Sequence, residues 1–440
     1  MREPDERPRQ WARPSASHAR GPRRPGWLIA GGLLLVGLVG LLVVWARNIL
    51  LASSAVVVVV TATPVLSPTV VTQAPTPTPT PVPTRQLDAY ISRLSQQQRV
   101  GQLLMLAVYT DAYSSALDGP LRQAQVGSVI FFPNHNGGPL MPTTLAGVQR
   151  LIRDLKEHAT NPLLVATDEE GGGVDRLAPY FGPSPSPAAL TATGNPQNAY
   201  NQAKLDAQRL REVGINVDFA PLADVDQGGA IDSSRMFGTT PEQVARYAGA
   251  FLDGLQQHGI AGTLKHWPGI GAVSANPDFA LPTLTHTKTQ LNTIDFASFL
   301  ALLSHHPDLI MVTHVLTPAY DPNNLASLSP TLIDGVLRGQ LGYQGVVVSD
   351  EMEASSVAQF MRQQGYTDPA QAVGEASVRA ILAGEDVIEC PLDPHLAQGV
   401  ITAVTRAVAS GRISQARLLQ SLRRIISLKV RLGILTLPQS

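Results

Sequence analysis

The sequence predicts an α/β fold, a closed (β/α)₈ barrel of the TIM type, preceded by a transmembrane helix and a Pro/Thr-rich linker. Three observations support this prediction. After residue 86, eight short apolar runs alternate with amphipathic segments, which is typical of parallel βα units. Polar side chains follow the apolar part of run after run, as at the functional end of such a barrel. An uncharged run between Trp27 and Trp45 is long enough to cross a bilayer as a helix.

The first 86 residues divide into three predicted segments. Residues 1–26 are rich in arginine and proline, and we expect a disordered, cytoplasmic basic tail. Residues 27–46 form the predicted single-pass anchor, with a cleaved signal peptide as the alternative. Residues 47–86 pass from valine to alternating threonine and proline, which predicts a semi-rigid spacer. The excess of arginine before the anchor places the rest of the chain outside the cytoplasm.

Composition limits the function of the predicted barrel, residues 87–436. The chain of 440 residues has a net charge of -1, and its charges form no basic stripe, so nucleic acid is not expected as a partner. The single cysteine, Cys390, excludes an internal disulfide, and its apolar neighbours predict a buried, unreactive thiol. We expect a monomeric barrel.

The eight apolar runs are the predicted barrel strands. In chain order they are LLMLAVY, GSVIFFP, LLVATDEE, INVDFAPLADV, GTLKHWPG, LIMVTHV, GVVVSDEM and EDVIECP. Between them, helical periodicity predicts helices over residues 143–159, 198–214, 241–259, 289–306 and 370–384. A doubly wound open sheet is the alternative, although no GxGxxG fingerprint follows the first run.

Glycoside hydrolysis usually needs two carboxyl groups, one on each side of the scissile bond. Asp350 ends the run GVVVS and is a candidate for one of them; its alternative role is to cap the following helix. Asp168 lies in TDEEGGGVDRL, where the alternative is a turn with solvated acids. Arg235 in DSSRMFG can pair with a carboxylate or bind hydroxyl groups, but a lone arginine is also often structural.

Taken together, these segments resemble glycoside hydrolase family 3, in its single-domain bacterial β-N-acetylglucosaminidase (β-hexosaminidase) branch. The resemblance rests on VATDEEGGGVDRL, INVDFAPLADV, SSRMFG, LKHWPG, MVTHV, LASLSPTLIDGVLRGQLGYQGVVVSDEM and AGEDVIECP, in the family's order. It implies a retaining mechanism on a barrel, with no metal or cofactor. Asp350 corresponds to the family's nucleophile, and the positions that bind sugar hydroxyls correspond to Asp168, Arg235, Lys265 and His266.

One strand before Asp350, the segment MVTHV contains His314. The side chain of His314 can orient the nucleophile, and we include it among the candidate substrate-binding residues. The alternative is a histidine that is satisfied within the core.

The loop KHWPGIGAVSANPDFALP departs from the family. Active relatives carry His-Gly-Asp after the Pro-Gly pair and then an Asp-Ser-His triplet, which supplies the acid/base. Ile270 and Ala272 replace the first histidine and aspartate, and the triplet becomes Asn276, Pro277 and Asp278. Gly173 also stands where the family usually has arginine.

Two functions are compatible with this loop. In the first, Asp278 serves as the acid/base, and a glycosyl-aspartate at Asp350 releases terminal β-linked N-acetylglucosamine from peptidoglycan fragments or related glycans. In the second, the barrel is a cell-surface glycan-binding module with impaired catalysis. A β-glucosidase-like specificity is a further alternative.

Overall fold

The computed structural model describes residues 82–133, 140 and 142–437. The predicted tail at 1–26, the anchor at 27–46 and the linker up to residue 81 lie outside the described residues. Within the described part of the chain, no helix combines the length and the apolar character that crossing a bilayer requires.

Eight parallel strands form the barrel, and each coincides with one of the eight predicted runs, although the fifth strand begins one residue before its run, at Ala261. They are β1 Leu104–Val108, β2 Ser128–Phe131, β3 Leu164–Thr167, β4 Val217–Asp218, β5 Ala261–Trp267, β6 Leu309–Val312, β7 Val346–Ser349 and β8 Ile388–Cys390.

The strands follow one another around the ring in chain order, and β8 pairs with β1. The remaining gap between β7 and β8 is closed by a parallel bridge of Val348 with Val387. There the Ser349 N–H donates to the Val387 carbonyl at 2.9 Å. The sheet is therefore a closed barrel, and the open-sheet alternative is wrong.

The barrel strands are buried along their whole length, as β1 and β7 illustrate. Residues of a parallel barrel face either the interior or the surrounding helices, so both faces of each strand exclude water. This is why the sequence shows continuous apolar runs and not an alternating pattern. Cys390 on β8 is buried as predicted, and burial raises the pKa of its thiol to about 12.

Helices surround the strands, and several begin with a proline at the first position, where its missing N–H costs no hydrogen bond. The first helix among the described residues starts at Thr84, within the predicted linker. The α-helices are Thr84–Arg93, Gln96–Gly101, Leu145–His158, Ala178–Phe181, Pro187–Ala192, Pro196–Val213, Pro241–Gln256, Lys288–Gln290, Phe296–Leu302, Ser355–Gln363, Pro369–Ala383, Pro394–Ala409 and Gln415–Arg431.

The structure also contains 3₁₀ turns and π-helical segments. The 3₁₀ turns are Ser115–Leu117, Ser233–Arg235, Leu303–His305 and Ala326–Leu328, and the π-helical segments are Gly119–Gln123, Leu291–Asp295 and Thr331–Gln340. Two hairpins lie outside the barrel: Glu169–Gly171 with Val174–Asp175, and Leu316–Thr317 with Asp321–Leu325.

The helix predicted over residues 289–306 is interrupted. A π-helical segment, Leu291–Asp295, separates its first turn from Phe296–Leu302. Immediately after this break, the ring of Phe296 stacks on Trp267 with centroids 4.6 Å apart. The second half of the predicted helix therefore packs against the end of β5, directly beside the sugar-binding positions that the sequence predicts.

Candidate active site

A cavity of about 570 Å³ opens at the carboxyl ends of the strands. This volume is typical of sites for small ligands. Six of the seven predicted site residues line it: Asp168, Arg235, Lys265, His266, Asp278 and Asp350. The cavity is also lined by Glu170, Arg176, Ile270, Phe279, Glu351, Glu353 and Glu389, among others.

An ion cluster of Asp168, Glu170, Arg235 and Lys265 forms one wall of the cavity. Lys265 Nζ lies 2.6 Å from Asp168 Oδ1 and 2.7 Å from Glu170 Oε1. Arg235 donates twice to Glu170, from Nε at 2.8 Å and from Nη2 at 2.7 Å. Arg235 therefore forms its ion pair with Glu170, whereas Asp168 forms its ion pair with Lys265.

Mutual pairing keeps this cluster charged although it is buried. Burial opposes the charge of Glu170, but Arg235 and Lys265 hold the pKa of its carboxyl well below its usual range. Burial likewise opposes the charge of Lys265, and Asp168 and Glu170 raise the pKa of its ammonium above the usual value. Such charge-assisted donors and acceptors fit the hydroxyl groups of a sugar.

The two glutamates of the TDEEGG segment face opposite sides of the chain. Glu170 points into the cavity, whereas Glu169 Oε2 accepts from the Leu177 N–H at 2.9 Å. Burial raises the pKa of Glu169 well above the usual value, and the nearby Asp175 adds to the shift. Side chains alternate along an extended chain, so Glu170 faces the same side as Asp168, although Glu170 was not among the predicted site residues.

Asp224, which was also not among the predicted site residues, positions His266. Its Oδ2 lies 2.7 Å from His266 Nδ1 and accepts from the His266 backbone N–H at 3.1 Å. Its Oδ1 accepts from the Ile270 N–H at 2.8 Å. Because a carboxylate only accepts, Nδ1 carries the proton, and Nε2 is left as the ring nitrogen for a ligand.

Asp350 follows β7 directly and lines the cavity. Its backbone N–H donates to the Val312 carbonyl of β6 at 3.0 Å, and its Oδ1 accepts from the Glu351 N–H at 2.9 Å. Burial opposes ionisation, but His266, His314 and this N–H lower the pKa of the Asp350 carboxyl below its usual value. The group is thus an anion at neutral pH, as a nucleophile requires.

The loop from Ile270 to Asp278 is fastened to the segment that follows Asp350. The Ser355 N–H donates to the Asp278 carbonyl at 3.0 Å, and the Ser356 N–H donates to the Pro277 carbonyl at 3.3 Å. The Asp278 side chain stays exposed at the cavity mouth. Partial loss of water and the charge of Asp350 raise the pKa of the Asp278 carboxyl. Its neighbour Phe279 is 72% exposed and lines the same mouth.

His314 does not line the cavity. It is fully buried, with Nδ1 at 2.7 Å from Ser327 Oγ and Nε2 at 3.1 Å from the Glu351 carbonyl. Its hydrogen bonds are those of a histidine satisfied within the core. It touches the chain just after Asp350, so it supports that segment from behind and is not placed to bind a sugar.

Gly173 leaves an opening beside the ion cluster. A Cβ at this position would meet only Asp232 Oδ2, at 3.9 Å, so a side chain could begin there without a clash. Arg176, three residues later, lines the cavity and is a further cation that was not among the predicted site residues.

The geometry provides the parts for acid/base and nucleophilic chemistry on a polyhydroxylated ligand. It offers an ionised carboxylate in Asp350, a carboxyl with a raised pKa in Asp278 and a cluster of paired charges. Among the residues that the structure describes, no group of three or more His, Cys, Asp or Glu side chains is arranged to hold a metal ion.

Comparisons with known proteins agree with this arrangement. The model of the glycosyl hydrolase family 3 N terminal domain matches residues 95–428. The β-hexosaminidase of Idiomarina loihiensis is 34% identical over 251 residues, which are 56% of this chain and 72% of that protein. The β-hexosaminidase of Pseudomonas aeruginosa is 33% identical over 272 residues, 61% of this chain and 75% of that one.

Solved structures give the same assignment. A family 3 β-N-acetylglucosaminidase from Paenibacillus sp. has a TM-score of 0.71 and 34% identity, over 79% of this chain and 65% of that one. This chain thus covers slightly less than two thirds of the Paenibacillus protein. The β-N-acetylhexosaminidase of Beutenbergia cavernae has a TM-score of 0.68 and 28% identity, over 77% and 99% of the two chains. The present chain therefore belongs to glycosyl hydrolase family 3 and is a glycoside hydrolase similar to the family's β-hexosaminidases.

Proposed function

We propose that this protein is a retaining β-N-acetylglucosaminidase in which Asp350 is the nucleophile and Asp278 the acid/base. The observation that carries the proposal is that these two carboxyl groups line one cavity and have pKa values shifted in opposite directions. Such a separation assigns an anionic role to one group and a proton-donating role to the other.

In the first step, Asp350 attacks the anomeric carbon as the bond from that carbon to the leaving oxygen breaks. Asp278 gives its proton to the leaving oxygen, and a covalent glycosyl-aspartate remains. In the second step, Asp278 accepts a proton from water as the water oxygen attacks the anomeric carbon. The bond to Asp350 breaks, and both carboxyl groups return to their starting states.

The remaining cavity residues bind and orient the sugar. The ion cluster supplies Lys265 and Arg235 as donors and Asp168 as an acceptor, while His266 offers Nε2 from a ring that Asp224 holds in place. The choice of terminal β-linked N-acetylglucosamine rests on the similarity to β-hexosaminidases. Peptidoglycan fragments and related glycans are the substrates that we propose.

A glycan-binding module with impaired catalysis is the second candidate function. It is favoured by the loop, in which Ile270, Ala272, Asn276 and Asp278 replace the residues that usually form the acid/base dyad. Asp278 lining the cavity beside Asp350 favours catalysis, because a donor is then present where the loop meets the nucleophile.

One assay separates the two functions. We expect the purified protein to release nitrophenol from nitrophenyl β-N-acetylglucosaminide at least about a thousand-fold faster than Asp350→Asn, because the variant has no nucleophile. Azide, an external nucleophile, should restore part of the rate to Asp350→Ala. Equal rates in wild type and Asp350→Asn would exclude hydrolysis through this residue. Calorimetry with N-acetylglucosamine would then test the binding function.

We further propose that residues 27–46 anchor the protein in the cell membrane with the barrel outside the cytoplasm. The support is the apolar run itself and the arginine-rich segment before it. Carbonate extraction of membranes should leave the protein in the pellet with its N-terminus intact. Soluble protein with a new N-terminus near Ala55 would contradict the proposal.

A further inference from the structure

Two carboxyl groups in the cavity, Glu351 and Glu389, have no role in the chemistry above. We call them the carboxyl pair. Glu389 lies on β8, is 1% exposed, and lines the cavity, yet its Oε1 has no hydrogen-bond partner among the described residues. Glu351 follows Asp350 and lines the same cavity. Buried carboxyl oxygens are normally paired, so an unpaired one that borders a cavity is an acceptor for a donor group of a ligand.

The carboxyl pair differs from the ion cluster on the other wall. In the ion cluster, each carboxylate meets a lysine or arginine within 2.8 Å. Neither Glu351 nor Glu389 has a lysine or arginine within ion-pair distance in the described part of the chain. Burial raises the pKa of Glu351 to about 8, and Glu353, Asp278 and Asp350 add to this shift. Burial also raises the pKa of Glu389 well above its usual value.

The lining as a whole has an excess of acids. The carboxyl side chains are Asp168, Glu170, Asp278, Asp350, Glu351, Glu353 and Glu389, and the permanent cations are Arg176, Arg235 and Lys265. Lys265 and Arg235 are already engaged in the ion cluster. A positively charged ligand group would favour the ionised forms of Glu351 and Glu389 and lower their raised pKa values, and no lysine or arginine of the described residues competes for these two acceptors.

The position of the carboxyl pair points to the sugar that undergoes attack. Glu351 follows Asp350 directly, and the Glu389 N–H donates at 2.8 Å to Oγ of Ser349, the residue before Asp350. Asp168 lines the same cavity. In the proposed function, Asp350 attacks the anomeric carbon, and Asp168 belongs to the ion cluster that binds the same sugar. The carboxyl pair thus lies around the glycone, and not only at the exposed mouth beside Phe279.

We propose that the glycone site binds a sugar with a free amino group, such as a terminal β-linked glucosamine, whose ammonium group donates to Glu389 and Glu351. Cleavage of such a glycoside rests on the proposed function. Binding of the amino sugar does not depend on catalysis and can be tested separately. It extends the substrate class from the N-acetylated sugar to its deacetylated, cationic form.

The test compares two glycosides that differ only in a charged amine or a neutral hydroxyl. At about pH 6, where an amino group of this type is protonated, we expect nitrophenyl β-glucosaminide to have at least tenfold higher kcat/KM than nitrophenyl β-glucoside. Glu389→Gln should reduce that ratio about tenfold, mainly through a lower kcat/KM for the glucosaminide. Glu351→Gln should reduce the ratio in the same direction. Glu157→Gln, on the exposed face of Leu145–His158, is the charge-matched control and should leave the ratio unchanged.

Each outcome decides the proposal. Two results would contradict the proposed amino-sugar site but leave the hydrolase function intact. One is equal kcat/KM for the glucoside and the glucosaminide, and the other is a ratio of these two values that changes in neither cavity variant. If no glycoside is cleaved, the hydrolase function fails, and calorimetry with free glucosamine and glucose tests the site by itself. Tighter binding of glucosamine, abolished in Glu389→Gln, supports the site; equal binding of the two sugars excludes it. Glucoside turnover, or circular dichroism where there is none, confirms that each variant is folded.

Discussion

Asp278 and Asp350 line the same cavity from segments that are hydrogen-bonded to each other, and burial together with the charge of Asp350 raises the pKa of the Asp278 carboxyl. The hydrogen bonds run from the Ser355 and Ser356 N–H groups to the carbonyls of Asp278 and Pro277. The loop that has lost the usual Asp-His dyad is thus held beside the nucleophile. This relationship leads to the first two predictions.

Replacing Asp278 by asparagine should separate substrates by leaving group. The variant cannot donate a proton, so kcat/KM for the β-linked disaccharide of N-acetylglucosamine should fall about 10²- to 10⁴-fold. A dinitrophenyl glycoside, whose leaving group needs no proton, should lose less than about tenfold. Steady-state kinetics on both substrates provide the measurement. Equal losses on both would show that Asp278 is not the donor.

The pH dependence of kcat/KM should be bell-shaped, because activity requires an ionised Asp350 and a protonated Asp278. The pKa of Asp350 is lowered, so the acidic limb should lie below the usual range for aspartate. The pKa of Asp278 is raised, so the basic limb should lie above that range, and activity is lost as pH rises through it.

Two variants assign the basic limb. It should disappear in Asp278→Asn. Because the pKa of Glu351 is raised to about 8, Glu351→Gln tests whether that group produces the limb instead. A limb that persists in Asp278→Asn and vanishes in Glu351→Gln would transfer the donor role to Glu351.

Asp224 is a positioning residue that acts through His266. In Asp224→Asn, the imidazole loses a carboxylate acceptor at 2.7 Å, and the ring is free to change tautomer or rotate. We expect KM to rise about tenfold with a smaller change in kcat. His266→Gln should have a similar effect, and the double variant should be no worse than either single one. Additive effects in this double-mutant cycle would mean that Asp224 does not act through His266.

Phe279 should contribute to binding of the leaving group, because its exposed ring lies at the mouth beside the proposed donor. We expect Phe279→Ala to raise KM for the disaccharide about fivefold to tenfold, while Phe279→Tyr stays near wild type. Inhibition by the monosaccharide, which fills only the glycone site, should change less than twofold. An equal loss of affinity for the monosaccharide would place the ring elsewhere in the site.

Lys429 is a buried polar tie between the last helix, Gln415–Arg431, and the barrel. Its Nζ donates to the carbonyls of Gly127 at 2.8 Å and Pro162 at 2.7 Å, and to Gln102 Oε1, while burial lowers the pKa of this amine to about 7. Lys429→Met removes the donor and leaves these acceptors buried, so the free energy of unfolding should fall by about 3 kcal/mol. The exposed Lys204→Met is the control and should change it by less than about 0.5 kcal/mol. Chemical denaturation measures both, and equal effects would contradict the assignment.

The local sequence predicted several of these features correctly. Continuous apolar runs indicated the eight strands, because a strand that is buried on both faces requires them. The placement of Asp168, Lys265, His266 and Asp350 after such runs predicted that they would meet, since parallel strands bring their carboxyl ends to one edge of a barrel. His314 shares the same sequence signal but is buried behind the cavity, because one strand end presents side chains in more than one direction.

The sequence by itself determined the order of strands and helices and the end of the barrel at which the candidate site residues lie. It also showed that the acid/base loop carries Asp278 in place of the family's usual residue. Only the tertiary structure decided which charges pair and which do not. Arg235 meets Glu170 across 65 positions of chain, Lys265 bridges two carboxylates, and Glu389 reaches the cavity without a cation. The physical reason is that closure of the barrel sets the distances between side chains on different strands, and electrostatic pairing in a buried site depends on those distances.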